Sequence, residues 1–102
     1  MSSASEESLK NFFSCYFHED WSIEAHSPDK IVSRFARSAA PHDVQALSAA
    51  IRDLSQQFAS ENELEKGLFA HFGCYYRPSA DGLSARSWLQ HVADLLLKES
   101  SG

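Results

Sequence analysis

The side chains of this chain best equipped for chemistry lie in one stretch, His18-Glu19-Asp20, with Cys15 just before it and His26 a little beyond. Imidazole beside carboxylate is the material of an acid–base pair or of a metal site. Metal ligands on a helix must converge, as in His-x-x-x-His on one face, and that spacing is absent here. His18 instead falls at the end of a helical pattern, where a cationic side chain suits the negative end of the helix dipole. Glu19 and Asp20 are misplaced for that same dipole, which points to a use outside the helix. Cys15 and Cys74, set against the five histidines, offer a thiol–imidazole nucleophile. Each sits among aromatic and apolar neighbours, which raise a thiol's pKa and blunt it. The two lack the Cys-x-x-Cys spacing of a zinc ribbon or redox pair, and both read as small buried hydrophobes. No Gly-x-Ser-x-Gly elbow, phosphate-cradling Gly-x-x-x-x-Gly-Lys loop or His-Glu-x-x-His motif occurs, and there are only four glycines. These residues point away from an enzyme and imply neither a metal nor a cofactor.

The acids are blocked in a way that points to a partner. Between Lys10 and Lys30 no Lys or Arg interrupts Glu19, Asp20, Glu24 and Asp29, and between Arg52 and Lys66 none interrupts Asp53, Glu61, Glu63 and Glu65. With 14 acidic against 9 basic residues the formal charge is -5, which opposes direct contact with a phosphate backbone and favours a basic protein as the complement. The bland reading competes for the second block. Glu61 and Glu63 at a helix start gain about 0.3–1 kcal/mol from the dipole, which matches or exceeds the roughly 0.2–0.5 kcal/mol repulsion between Glu61 and Glu65. A solvated face therefore explains that block as well as a binding surface does. The aromatic set Trp21, Tyr75, Tyr76 and Trp88 reads first as core, since such rings supply much of the burial open to a small chain. Any exposed member becomes a binding hot-spot candidate.

The elements that position these residues are helices. Leu9, Phe12, Phe13, Tyr16 and Phe17 form one apolar face of a first helix. Ser27-Pro28 reads as an N-cap with proline at the first helical position, opening a short helix through Ile31, Val32 and Phe35 that ends near Ser38 to Ala40. Pro41 opens a third, the longest, along Val44, Leu47, Ile51, Leu54 and Phe58. Ser60 with Glu63 makes a capping box for a fourth, with Leu64, Leu68 and Phe72 inward. Gly67 and Ala70 mark a close helix crossing there, since glycine in a helix interior costs about 1 kcal/mol and needs a packing reason. Gly73 suits a left-handed residue past the helix end, and the stretch from Cys74 to Gly82, with Pro78 and Asp81-Gly82, reads as an ordered loop. Ser84 caps a last helix with Trp88, Leu89, Val92, Leu95 and Leu96 inward. No segment alternates with period two, and no repeat is present. The chain of 102 residues thus reads as one domain over 1–102, an all-α bundle of about five helices, with frayed tails at 1–5 and 99–102. It offers no apolar run near the ~20 residues of a membrane span and no leader pattern at its start, so a cytoplasmic location is expected.

The pattern Tyr16-Phe17-His18-Glu19-Asp20-Trp21, followed by Gly73-Cys74-Tyr75-Tyr76, Asp81-Gly82 and Trp88-Leu89, resembles the CdiI immunity proteins of bacterial contact-dependent growth inhibition (CDI) systems. The resemblance covers nearly the whole chain. It implies a non-catalytic inhibitor that binds the C-terminal toxin domain of a CdiA effector, about 1:1, in the bacterial cytoplasm. Many such toxins are nucleases acting on tRNA or DNA, and an acidic protein complements the basic cleft such an enzyme needs. The matching residues Tyr16, Phe17, His18, Trp21, Gly73, Cys74, Tyr75, Tyr76, Asp81, Gly82 and Trp88 are carried over as signature positions. The candidate contacts are Glu19, Asp20, Glu24, Asp53, Glu61, Glu63 and Glu65, with no direct nucleic-acid or membrane contact expected. The alternative reading is a helical adaptor or regulator of another basic protein.

Overall fold

Five α-helices and a 3-10 turn account for the described residues, with no strand among them: α1 (Ser3–Tyr16), α2 (Pro28–Ser38), α3 (Pro41–Gln57), α4 (Glu61–Ala70), the turn (Pro78–Asp81) and α5 (Ala85–Ser101). The structure is a computed structural model that describes residues 3–18, 27–58 and 60–101, with side chains from position 7 to position 100 within them. The signature position Trp21 and the candidate contacts Glu19, Asp20 and Glu24, together with His26, lie outside the described residues.

Local chemistry sets most of the helix boundaries. Ser27 caps α2, its hydroxyl accepting from the Lys30 N–H at 3.3 Å, and Pro28 occupies the first turn, where no amide hydrogen is needed. Pro41 opens α3 in the same way. Ser60 Oγ accepts from the Glu63 N–H at 3.1 Å and starts α4, and Ser84 Oγ accepts from the Ser87 N–H at 3.0 Å at the start of α5. Gly73 and Gly82 adopt φ of 74° and 77°, the left-handed region that ends one helix and one turn. α5 runs through Ser101 rather than fraying from position 99, and Arg37 holds Glu99 at 3.2 Å.

α3 and α5 form the central pair. α2 and α4 pack on α5, and α1 packs on α3. The central pair approaches closely because Ser48 and Ala93 face each other, with the buried Ser48 hydroxyl donating to the Ala93 carbonyl at 2.9 Å. Ser55 is buried too and donates to the Arg52 carbonyl at 2.6 Å. Neither serine stands out from its helical spacing, because each satisfies its hydroxyl on backbone and then behaves as a small core residue. An aromatic cluster closes one end of the core: Trp88 of α5 meets Phe17 at 5.4 Å and Tyr76 at 4.9 Å between ring centroids, and Phe13 lies behind at 6.2 Å.

Three local expectations change. Cys15 is exposed, because it falls on the far side of α1 from the stripe Leu9, Phe12, Phe13 and Tyr16; only Cys74 is a buried thiol. Gly67 accommodates a ring rather than a second helix: a Cβ there would lie 3.0 Å from Phe58 Cζ, while Ala70 faces solvent. The stretch 74–78 does alternate, with Cys74, Tyr76 and Pro78 buried and Tyr75 and Arg77 exposed. It is too short to have registered as a period-two run, yet its extended backbone decides which residues face out.

Candidate functional site

The second acidic block divides into two carboxylates that hold the scaffold and two that do not. Glu61 reaches from the first turn of α4 to the first turn of α5, where it accepts from the N–H groups of Ala85 and, at 3.2 Å, Arg86. These are orphan donors of a helix N-terminus, and a carboxylate both satisfies them and complements the positive dipole end. Arg86 completes the junction from the other side, donating to the carbonyls of Ser55 at 2.9 Å and Phe58 at 3.0 Å where α3 ends. Glu61 and Arg86 thus tie the end of α3 to the starts of α4 and α5. Glu65 accepts from the Ser79 N–H at 3.2 Å and pins the 3-10 turn. Asp53 and Glu63 are exposed, and among the described residues their carboxylates take neither a hydrogen bond nor an ion pair.

Most other described acids are matched. Asp94 pairs with Arg52, Glu99 with Arg37, Asp43 with His42 at 3.1 Å, and Asp29 with His91 Nε2 at 3.0 Å. The two exposed arginine pairs contribute only about 0–1 kcal/mol each while offsetting the charges of Asp94 and Glu99, whereas the two histidine contacts leave the formal charge, which counts histidine as neutral, unchanged. The last of these pairs escaped the sequence reading, since Asp29 and His91 belong to helices far apart in the chain.

The signature positions are mainly scaffold. Phe17 is fully buried and its carbonyl accepts from the Tyr75 N–H at 2.8 Å, which fixes the extended stretch against the end of α1. Tyr16 is half-buried against Phe12 and Phe35, and His18 is half-buried just beyond. Gly73 leaves room for Ser14, whose Cβ would stand 3.2 Å from an added methyl. Cys74 is buried, its S–H donating to the Tyr76 carbonyl at 3.5 Å, and desolvation pushes its thiol up to about 12. It is therefore a protonated, unreactive thiol at neutral pH. Tyr76 donates to Asp81 Oδ2 at 2.7 Å; burial first, and then the neighbouring carboxylate, raises its phenol well above the ordinary range. Trp88 is 2% exposed, and its indole N–H finds no acceptor among the described residues. The core reading holds for Tyr76 and Trp88 and fails for Tyr75, which is 46% exposed.

Tyr75 is not alone on the surface. Its ring packs edge-on against Phe69 of α4 at 5.0 Å, Phe69 is 42% exposed, and the Arg77 guanidinium lies over the Phe69 ring at 5.7 Å. Phe69 and Arg77 were not singled out by sequence, since Phe69 falls off the Leu64–Leu68–Phe72 stripe and nothing in the spacing joins it to position 75. The off-stripe position of so large an apolar residue was the available signal.

A cavity of about 400 Å³ is bordered by Asp29, Tyr76, Asp81, Ser87 and His91 among others. Serine, histidine and aspartate are the residue types of a nucleophilic triad, but no hydrogen bond joins Ser87 to His91, and His91 is exposed. Among the described residues no three His, Cys, Asp or Glu side chains converge as metal ligands. No helix of the described residues is long and apolar enough to cross a membrane.

A small helical scaffold whose distinctive exposed features are surface charge and a fixed aromatic patch fits the class of protein-binding domains. Within it, the chain belongs to the CdiI immunity protein family, whose model matches residues 5–96. Its function is accordingly immunity against a CDI toxin, exercised by binding that toxin. Comparison with curated proteins finds no match, and neither does comparison with solved structures.

Proposed function

We propose that this chain neutralises a nuclease toxin, the C-terminal domain of a cognate CdiA effector, in the bacterial cytoplasm by forming a 1:1 complex that covers the toxin's basic substrate cleft. The observation that carries the nuclease reading is the formal charge of -5 on a member of an immunity family. A nuclease cleft must attract phosphates with Lys and Arg, and an acidic protein of fixed shape competes for the same residues. Asp53 and Glu63, whose carboxylates are uncommitted, are the described members of the acidic set best suited to reach such residues, alongside Glu19, Asp20 and Glu24 of the other block. Glu61 and Glu65 contribute through the junctions they hold. Inhibition requires occupancy rather than turnover, so affinity has to be high; a nanomolar Kd corresponds to about -12 kcal/mol.

The test is a titration of the chain into a tRNase or DNase assay of the toxin domain encoded beside it. Activity should fall linearly to zero at equimolar inhibitor. Asp53→Lys with Glu63→Lys should slow association at low salt and much less at 1 M salt, where the Debye length shrinks to ~3 Å. Complete inhibition far below equimolar amounts, or a toxin without nuclease activity, refutes this reading.

A further inference from the structure

We infer that the exposed cluster of Phe69, Tyr75 and Arg77 is an anchor point for the toxin, and that it takes an apolar side chain flanked by a carboxylate on a part of the toxin outside the phosphate-binding cleft. This rests on the immunity reading above and specifies where and how the partner is gripped.

The cluster has the composition and the rigidity of a binding hot spot. Phe69 and Tyr75 are two of the few large apolar side chains left more than a third exposed, and they touch each other at 5.0 Å. Tyrosine and arginine are enriched at energetically dominant interface positions, because each offers a large contact area with a polar end at low entropic cost. Both sides of the cluster are held before any partner arrives. Phe69 sits on α4, and the backbone of Tyr75 is fixed by its N–H bond to Phe17 and by the burial of Cys74 and Tyr76 on either side. Little ordering cost therefore falls on binding.

Charge selects the kind of surface that fits. The Arg77 guanidinium stacks on Phe69 and forms no ion pair among the described residues, and Lys66 lies one turn before Phe69 on the same helix face. The acid in that turn, Glu65, already accepts from Ser79. The cluster thus carries two cations, Arg77 and Lys66, that pair with no carboxylate among the described residues, on a molecule of net charge -5. A phosphate-binding cleft is the wrong complement for it, whereas a carboxylate can engage the guanidinium fork while its apolar neighbour covers the two rings.

Binding of the catalytically inactivated toxin domain encoded beside this chain, measured by biolayer interferometry on full-length variants, tests this. Tyr75→Ala and Phe69→Ala should each weaken affinity at least tenfold, mainly through faster dissociation. Arg77→Glu should weaken it more than Arg77→Ala does. Circular dichroism and melting temperature should stay near the parent's, since all three side chains are surface groups; if Phe69→Ala unfolds, Tyr75→Ala and Arg77→Glu carry the test. Tight binding by the parent with Tyr75→Ala and Arg77→Glu within twofold of it overturns the anchor and leaves the immunity reading standing. Failure of the parent itself to bind that toxin overturns both. Arg77→Glu binding more tightly than Arg77→Ala overturns the carboxylate complement. A parent dimer in sedimentation that Tyr75→Ala dissociates, with toxin affinity unchanged, assigns the cluster to a second copy instead.

Discussion

Replacing Glu61 separates what an acidic residue does for the fold from what it does for a partner. In Glu61→Ala the N–H groups of Ala85 and Arg86 lose their acceptor at the start of α5. Arg86 is half-buried, so water takes over part of the duty there, whereas Ala85 is buried and its N–H is left poorly served. Loss of an N-cap acceptor costs about 0.5–2 kcal/mol, and removing a negative charge from a helix N-terminus adds about 0.3–1 kcal/mol. With solvent screening, about 1–2 kcal/mol is the expected destabilisation. For a chain of this size that lowers Tm by roughly 5–15 °C, at about 4–8 °C per kcal/mol. Glu61→Gln keeps an acceptor and loses the charge, so it should fall between parent and Glu61→Ala. Glu63→Ala is the internal comparison, since its carboxylate makes no hydrogen bond and its removal should cost no more than a first-turn acid contributes, about 0.3–1 kcal/mol. Thermal and urea melts followed by circular dichroism read all three. Equal and negligible effects of Glu61→Ala and Glu63→Ala would show that the cap is not made in solution, and the division of the acidic block would fall with it.

Three further outcomes rest on buried groups and backbone. A thiol reagent at pH 8 should modify exposed Cys15 quickly and leave Cys74 unmodified until the chain unfolds; equal rates refute the burial. The Cys74 thiol is raised in the folded state from 9.0 to about 12, so its contribution to stability is intact below pH 9 and is lost as pH rises from there towards 12. Cys74→Ala should flatten that alkaline loss in urea melts taken between pH 8 and pH 11. Gly82→Ala pays only for a left-handed alanine, about 1 kcal/mol, because nothing lies near its added Cβ, whereas Gly73→Ala also crowds Ser14 and should cost more. Equal melting temperatures for these two variants contradict the close approach of α1 to the stretch after α4.

How much of this was legible in the sequence depends on the range of the interaction. The helices were readable because their signals are local: Ser27-Pro28, Pro41 and Ser60 fix starts within a turn, and the apolar stripes fix inward faces. Gly73 and Gly82 were readable for the same reason. Glu61 looked like a first-turn acid of its own helix, and its actual partners, Ala85 and Arg86, lie on another helix that only the fold brings near. Tyr75 and Tyr76 are adjacent and chemically alike, yet one is exposed and the other buried, because an extended backbone sends neighbouring side chains to opposite sides. A composition argument groups such a pair together, whereas the backbone at 74–78 separates it.

That separation bears on how immunity and specificity are shared out over the surface. An acidic residue that caps a helix cannot be changed to suit a new toxin without loss of stability, so Glu61 and Glu65 are poor places to encode partner choice. Asp53 and Glu63 carry no such obligation, and neither do the exposed ends of Phe69, Tyr75 and Arg77. Uncommitted acids attract a basic cleft over several ångströms but discriminate weakly, because screening and the mobility of long side chains blur distance. A rigid aromatic pair with a stacked guanidinium acts only on contact and demands a matching shape and charge. On the proposed reading, long-range charge sets how fast a toxin is met, and the short-range cluster sets which toxin is kept. Under this division, reversing the uncommitted acids changes the on-rate and its salt dependence, while truncating the aromatic cluster changes the off-rate at any salt concentration.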